Sequence, residues 1–362
     1  MRLIEPLGLL HGKVAAEAVA SGLALPLAGG PAAFTLARLI DTDRPPRLLA
    51  VPDIPPAWAD IAARIATAPP RWADLPTDRP LIMGVLNITP DSFSDGGRHF
   101  DPATAIAAGQ GMAAAGADIL DIGGESTRPG AEPVPPALEQ ARILPVIHAL
   151  AASGHRISVD TRNAATMAAA LDAGAIIIND ISALTHDPAA AALAASRGCP
   201  VVLMHMRGTP ATMRTHARYS DPAVEILAEL DARVATARAV GIRAENVAID
   251  PGIGFAKNTS QNRELLYRMA LFTNLGCRIV LGVSRKSMIG DLGNQPDPSS
   301  RLPGSLAAGL FGLAHGATIL RTHDVAETAQ ALRVWQALQD GGLVNSATHG
   351  SNPAPIPAVM DP

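Results

Sequence analysis

From Leu81 onward the chain repeats one unit eight times: a short apolar run that ends in polar residues, then an Ala-rich stretch. The runs are 81–88 (LIMGVLNI), 118–123 (DILDIG), 156–161 (RISVDT), 176–181 (IIINDI), 200–205 (PVVLMH), 247–252 (VAIDPG), 278–283 (RIVLGV) and 318–323 (TILRTH). They are short, rich in β-branched residues and nearly uninterrupted, as strands covered on both faces are. The stretches between them, such as 104–116, 163–174, 221–240 and 303–315, carry helical patterns, several of which stop at a glycine (Gly116, Gly174, Gly241, Gly316). Eight strand–helix units predict a closed parallel (β/α)8 TIM barrel. An open doubly wound sheet usually has fewer units and a GxGxxG turn after its first strand; here that strand runs into NITPDSFSDGG.

A barrel of this kind takes roughly 250 residues, and the chain has 362. We expect the barrel over 76–340, preceded by an N-terminal extension of about 75 residues forming a small cap. In that extension 33–40 and 47–51 read as strands and 57–68 as a helix. Residues 341–362, rich in Gly, Pro, Ser and Asn, read as a disordered tail. With 48% hydrophobic residues a large core is available. Aromatic residues at 3% are too few for base-stacking platforms, and a net charge of −4 without blocks of one sign argues against a nucleic-acid or membrane surface. Cys199 and Cys277, each at the start of an apolar run, read as reduced core thiols. No apolar run reaches the ~18 residues of a membrane helix, and Glu5 and Glu17 interrupt the N-terminus. A cytoplasmic protein is the expectation.

Active sites of such barrels lie at the C-terminal ends of the strands. The polar residues there are Asn87, Glu125 to Arg128, Asp160, Asn179, His205, Asp250, Lys286, Arg321 and His323. A full ring of them is costly in a fold whose strands are otherwise apolar. Asp160, Asp250 and Asn179 suit a flat heterocycle with several N–H groups, and a charge-assisted bond to such a ligand is worth about 1.5–3 kcal/mol. Lys286 can donate to a carbonyl or ring nitrogen of the same ligand. Arg321 and His323, on the last strand, suit an anion, and Asn87 offers a neutral oxygen of the kind Mg2+ accepts. Each residue also has a plain reading. Asp160 can cap the following helix, Asp250 can be a turn residue, and Arg321 and His323 can pair with Asp324. His205 reads as a satisfied rim histidine rather than a ligand, and the methionines at 204, 206 and 213 as packing.

The segments carrying these residues resemble the dihydropteroate synthase family of pterin-binding barrels: MGVLNITPDSFSDGG (83–97), ADILDIGGESTRPGA (117–131), SVDTR (158–162), IINDIS (177–182), LMHMRGTP (203–210), DPGIGFAKN (250–258), SRKSMIG (284–290) and RTHDV (321–325). The resemblance implies that Asp160, Asn179, Asp250 and Lys286 hold a pterin ring on which Met204 packs. Asn87, Arg321 and His323 would hold the diphosphate and Mg2+, the implied cofactor. Thr127 and Arg128 would order the diphosphate and cover the second substrate. Ser287 would meet the carboxylate of 4-aminobenzoate, with Phe255 and Pro129 on either side of its ring. The implied reaction joins (7,8-dihydropterin-6-yl)methyl diphosphate to 4-aminobenzoate by a dissociative path, with Asp160, Lys286, Arg321 and Arg128 as the catalytic set. Loops 87–100 and 124–135 are expected to close after the first substrate binds, using Asp91, Phe93 and Arg128. A homodimer and competition by sulfonamides are further implications. Ile253 and Ala256 depart from the family pattern and are not expected to alter the chemistry. A pterin-binding methyltransferase domain and a non-catalytic pterin-binding paralogue are the alternatives.

Overall fold

The computed structural model describes residues 1–76, 78–89, 101–126 and 134–339. The tail assigned to 341–362 therefore lies outside the described residues.

The extension opens with a four-stranded sheet: β1 (Arg2–His11), β2 (Leu25–Pro26), β3 (Ala32–Asp41) and β4 (Arg44–Ala50). β3 is central and pairs antiparallel with the other three. β3, β4 and the helix Ala59–Ala66 fall where the pattern places them. β1 and the helix Gly12–Ala20 were not foreseen. Glu5, Pro6 and Gly8 break up the apolar run of β1, and a proline argues against a strand unless the strand is an edge. β1 is such an edge. Its outer side is closed by a side chain: Ile4 N–H donates to Asn274 Oδ1 at 3.0 Å, and Asn274 Nδ2 donates to Ile4 O at 2.7 Å.

Ile4, Phe34, Ala37 and Leu39 of the sheet pack in one cluster with Trp58, Ile61 and Ile65. Leu3 joins the core of the barrel instead. Glu5, 1% exposed, receives Arg268 Nε at 2.6 Å and Arg38 Nη1 at 2.8 Å, and Arg268 continues to Asp221 at 2.8 Å. These contacts make the extension a buttress against the flank of the barrel.

The barrel strands are β5 (Leu81–Asn87), β6 (Ile119–Gly123), β7 (Ile157–Asp160), β8 (Ile177–Asp180), β9 (Val201–Met204), β10 (Val247–Asp250), β11 (Arg278–Gly282) and β12 (Ile319–Thr322). All eight are parallel and close on themselves through β12–β5 pairing. Inside, Leu81, Met83, Ile119, Ile177, Val202, Ala248, Val280 and Ile319 form one packed cluster. Trp72 and Leu75, from the segment entering the barrel, belong to this cluster. The Trp72 indole N–H donates to Asn246 O at 3.0 Å, just ahead of β10, so the plug seals the end opposite the polar ring. The outer core lies between strands and helices, as the strands' two apolar faces require. Cys199 and Cys277 are free, buried thiols. Among the described residues no helix is long and apolar enough to cross a membrane.

Candidate active site

Strand register brings the polar residues to one level. Asn87 is opposite Gly123, Gly123 opposite Asp160, and Asp160 opposite Asn179, across β5 to β8. Asp250 is opposite the buried Met204 across β9 and β10. Arg321 lies beside Gly282, where a small residue leaves room for its side chain.

Arg321 is not a free cation. Its Nε donates to Asp121 Oδ2 and its Nη2 to Asp160 Oδ2, each at 2.6 Å, and Asn179 Nδ2 donates to the same Asp121 oxygen at 3.0 Å. Two carboxylates thus share one guanidinium. Burial, with Asp121 nearby, pushes the Asp160 carboxyl up to about 7 against the pull of Arg321. Asp160 does not cap the next helix, and the Asn163 side chain at that cap position makes no cap bond either. Asp324 pairs with Arg285 rather than with Arg321 or His323. His323 meets Ser284, Nδ1 to Oγ at 3.1 Å, and burial, with Arg321 close by, lowers it to about 4.

Across the mouth, Asp250 Oδ1 accepts the Gly252 N–H at 2.7 Å, so it is a turn residue as well as a rim carboxylate. Burial raises its pKa, and Lys286 opposes the rise. Lys286 donates to Ile253 O, and its ammonium stands 4.7 Å from the centre of the Phe255 ring. Burial lowers Lys286 to about 8. It stands at the N-cap position of the helix Ser287–Gly293 without a side-chain cap bond, and the exposed Ser287 is the first residue of that helix. His205 is satisfied on both nitrogens, by Glu229 at 2.9 Å and Lys257 at 3.0 Å, and burial holds it near 4. Asn87 is partly buried at the end of β5. Thr127, Arg128 and Pro129, with Asp91 and Phe93, lie outside the described residues.

Two residues beside the site, Asp121 and Asp180, were missed. Asp121 is fully buried in mid-strand and holds both Arg321 and Asn179. The signal was present in DILDIG: Asp121 is two residues before Gly123, hence on the same strand face and one layer deeper. Its Oδ1 and the hydroxyl of its register partner Ser158 have no hydrogen-bond partner among the described residues. Asp180 accepts from Ser182 N and Leu184 N at 2.7 and 2.9 Å, and so pins a turn in which Ala183 and Leu184 both have positive φ (52° and 62°). Two such residues in succession are costly without a fixed partner.

A pterin-binding enzyme family profile matches residues 83–323. The dihydropteroate synthase of Neisseria meningitidis serogroup C is 46% identical over 264 residues, 72% of this chain and 93% of that protein. The Escherichia coli K12 enzyme is 45% identical over 264 residues, 73% of this chain and 93% of its own. The chain belongs to the dihydropteroate synthase family. Among solved structures, the Xanthomonas albilineans dihydropteroate synthase with 4-aminobenzoic acid is 46% identical, with a TM-score of 0.69 over 72% of this chain and 94% of that one. The same enzyme in complex with 7,8-dihydropteroate gives 43% and 0.67, over 73% and 95%. As a dihydropteroate synthase the chain is a transferase of folate biosynthesis. The relatives are covered nearly end to end while over a quarter of this chain is not, so this synthase carries length that they lack.

Proposed function

We propose that the chain makes 7,8-dihydropteroate from (7,8-dihydropterin-6-yl)methyl diphosphate and 4-aminobenzoate, with the polar ring as the pterin site. The observation that carries this reading is the Asp160–Arg321–Asp121–Asn179 array facing Asp250 and Lys286 across one mouth. Asp250 spends one oxygen on its own turn, and the other accepts from the pterin amide and amino N–H groups. Asn179, held by Asp121, presents its amide to the ring edge, and Met204 packs on the ring face. Lys286 turns from Ile253 O toward the ring.

As the C–O bond to the diphosphate breaks, the methylene carbon takes on positive charge spread over the pterin. Asp160 and Asp121 sharing a single Arg321 leave one negative charge uncompensated, and a fixed field of that sign favours the cation. The amine of 4-aminobenzoate then attacks, its ring against Phe255 and its carboxylate at Ser287. No strong base is needed, and holding the two reactants together supplies much of the rate. Pro129, Thr127 and Arg128 complete this second pocket in our reading. His323 and Arg321 face the diphosphate. Asn87, a lone neutral oxygen donor level with Asp160, fits Mg2+, which takes few protein ligands and completes its shell with phosphate and water. When bound, that ion neutralises charge on the departing diphosphate.

The experiment is pterin binding by calorimetry in Asp250→Asn and Asn179→Ala. Each should weaken binding of a 6-hydroxymethylpterin at least tenfold; unchanged affinity in both would move the pterin elsewhere. In the same reading sulfonamides compete with 4-aminobenzoate, and chelation of Mg2+ abolishes turnover. We place the enzyme in the cytoplasm as a homodimer. Exposed Phe311, Val334 and Leu338, on the adjoining helices Leu302–Ala314 and Val325–Gln339, supply an apolar surface for the second copy. Light scattering that gives a monomer mass would contradict that.

A further inference from the structure

The chain contains only three lysines among its 29 basic residues. Lys13 is exposed and pairs loosely with Glu17 at 3.7 Å. The other two, Lys257 and Lys286, both grip the loop that follows β10. Arginine serves almost everywhere else on this chain, so the compact ammonium of lysine is confined to this one neighbourhood apart from Lys13.

Lys286 has a role in the pterin site. Lys257 has none there. The residue is partly exposed, but its amine is buried and turned inward; burial lowers its pKa well below that of a free lysine, against the pull of Asp250, while three acceptors around Nζ favour the ammonium. Its Nζ donates to Gly252 O at 2.9 Å, Phe255 O at 2.8 Å and His205 Nδ1 at 3.0 Å, with His205 O a fourth neighbour at 3.4 Å. An ammonium has three protons, so every donor is spent on the protein. Three carbonyl oxygens around one nitrogen is the surrounding of a bound cation, here supplied by the chain itself. The loop is folded to make it: Gly252, Gly254 and Ala256 all have positive φ (68°, 85° and 50°). A Cβ at Gly252 would stand 2.0 Å from His205 O. His205 is in turn held by Glu229, and Glu229 by Arg207.

We propose that Lys257 is a positioning residue for the second substrate: its ammonium acts as a resident cation that fixes the 252–257 backbone and so the stance of Phe255. In the ligand-free protein the loop is held from two sides, by Lys286 at Ile253 O and by Lys257 at Gly252 O and Phe255 O. When Lys286 turns to the pterin, Lys257 alone keeps the loop in shape. The loss of Lys257 is therefore felt after pterin binds, by 4-aminobenzoate. This inference rests on the reading of Phe255 as a wall of the 4-aminobenzoate pocket.

The test is steady-state kinetics of Lys257→Met and, in parallel, Phe255→Ala. Lys257→Met should raise KM for 4-aminobenzoate at least tenfold and leave KM for the pterin diphosphate within about threefold. In Lys257→Ala, added ethylammonium should recover part of the lost kcat/KM, and ethanol should not. A Lys257→Met enzyme with both KM values within twofold of wild type overturns the inference. If Phe255→Ala also leaves KM for 4-aminobenzoate unchanged, the pocket reading fails first. Should the variants not fold, the wild-type protein still decides. With only three lysines, ¹⁵Nζ-lysine labelling gives three assignable ammonium signals. On adding the pterin diphosphate the Lys286 signal should move and the Lys257 signal should stay in place. A Lys257 signal that moves as far as that of Lys286 overturns the proposal.

Discussion

At the scale of single residues, the site is governed by what burial does to charge. Asp160 is poised near 7 because burial and Asp121 outweigh Arg321. In the proposed mechanism the ionised form favours the cationic transition state, so kcat/KM for the pterin diphosphate should rise as pH climbs through about 7 and fall below it. The arylamine is neutral throughout this range. Asp160→Asn should flatten that limb as well as lower the rate; an unchanged limb in the variant would assign the titration to another group. Asp250, Asn179 and Arg321 could be placed at the mouth from the sequence because they lie at strand ends, and Lys286 and His323 because they follow a strand closely. Asp121 could not, because it sits mid-strand, where a lone carboxylate inside DILDIG looks like an interruption rather than the anchor of Arg321 and Asn179.

At the scale of elements, each barrel strand appears within a residue or so of its apolar run, because a strand buried on both faces leaves no other pattern in the sequence. β1 was hidden, since Glu5, Pro6 and Gly8 break its apolar run and the partners of its outer edge and of Glu5, Asn274 and Arg268, lie far along the chain. Long-range partners of that kind leave no local trace. The loop after β10 holds the other surprise. Ala256 occupies a left-handed conformation at φ 50°. An L-residue there costs about 1–2 kcal/mol, partly offset by the greater freedom glycine gains on unfolding, about 0.4–1 kcal/mol. Ala256→Gly should therefore raise unfolding free energy by up to about 1 kcal/mol in urea titration. A loss of stability would mean that the Ala256 methyl, buried in the structure, contributes more than its backbone costs.

At the scale of the whole molecule, the extension and the active site are at different places on the barrel. Among the described residues, the sheet of β1 to β4 touches the Met269–Leu275 segment and Arg268, and no described bond joins it to Asp160, Asn179, Asp250, Lys286 or Arg321. A chain beginning at residue 69 keeps Trp72 and Leu75 in the barrel floor but strips Glu5 from Arg268. Breaking a buried ion pair costs about 3–5 kcal/mol. This shortened protein should be less stable by an amount of that order, yet keep kcat/KM within about threefold at a temperature where it is folded. A folded but inactive shortened protein would show that the extension reaches the chemistry. The central claim is tested most directly by pyrophosphate release from the purified enzyme with Mg2+ and the dihydropterin diphosphate, with and without 4-aminobenzoate. The account predicts release that requires 4-aminobenzoate and is lost in Lys286→Ala; tight pterin binding with no release under either condition would contradict it.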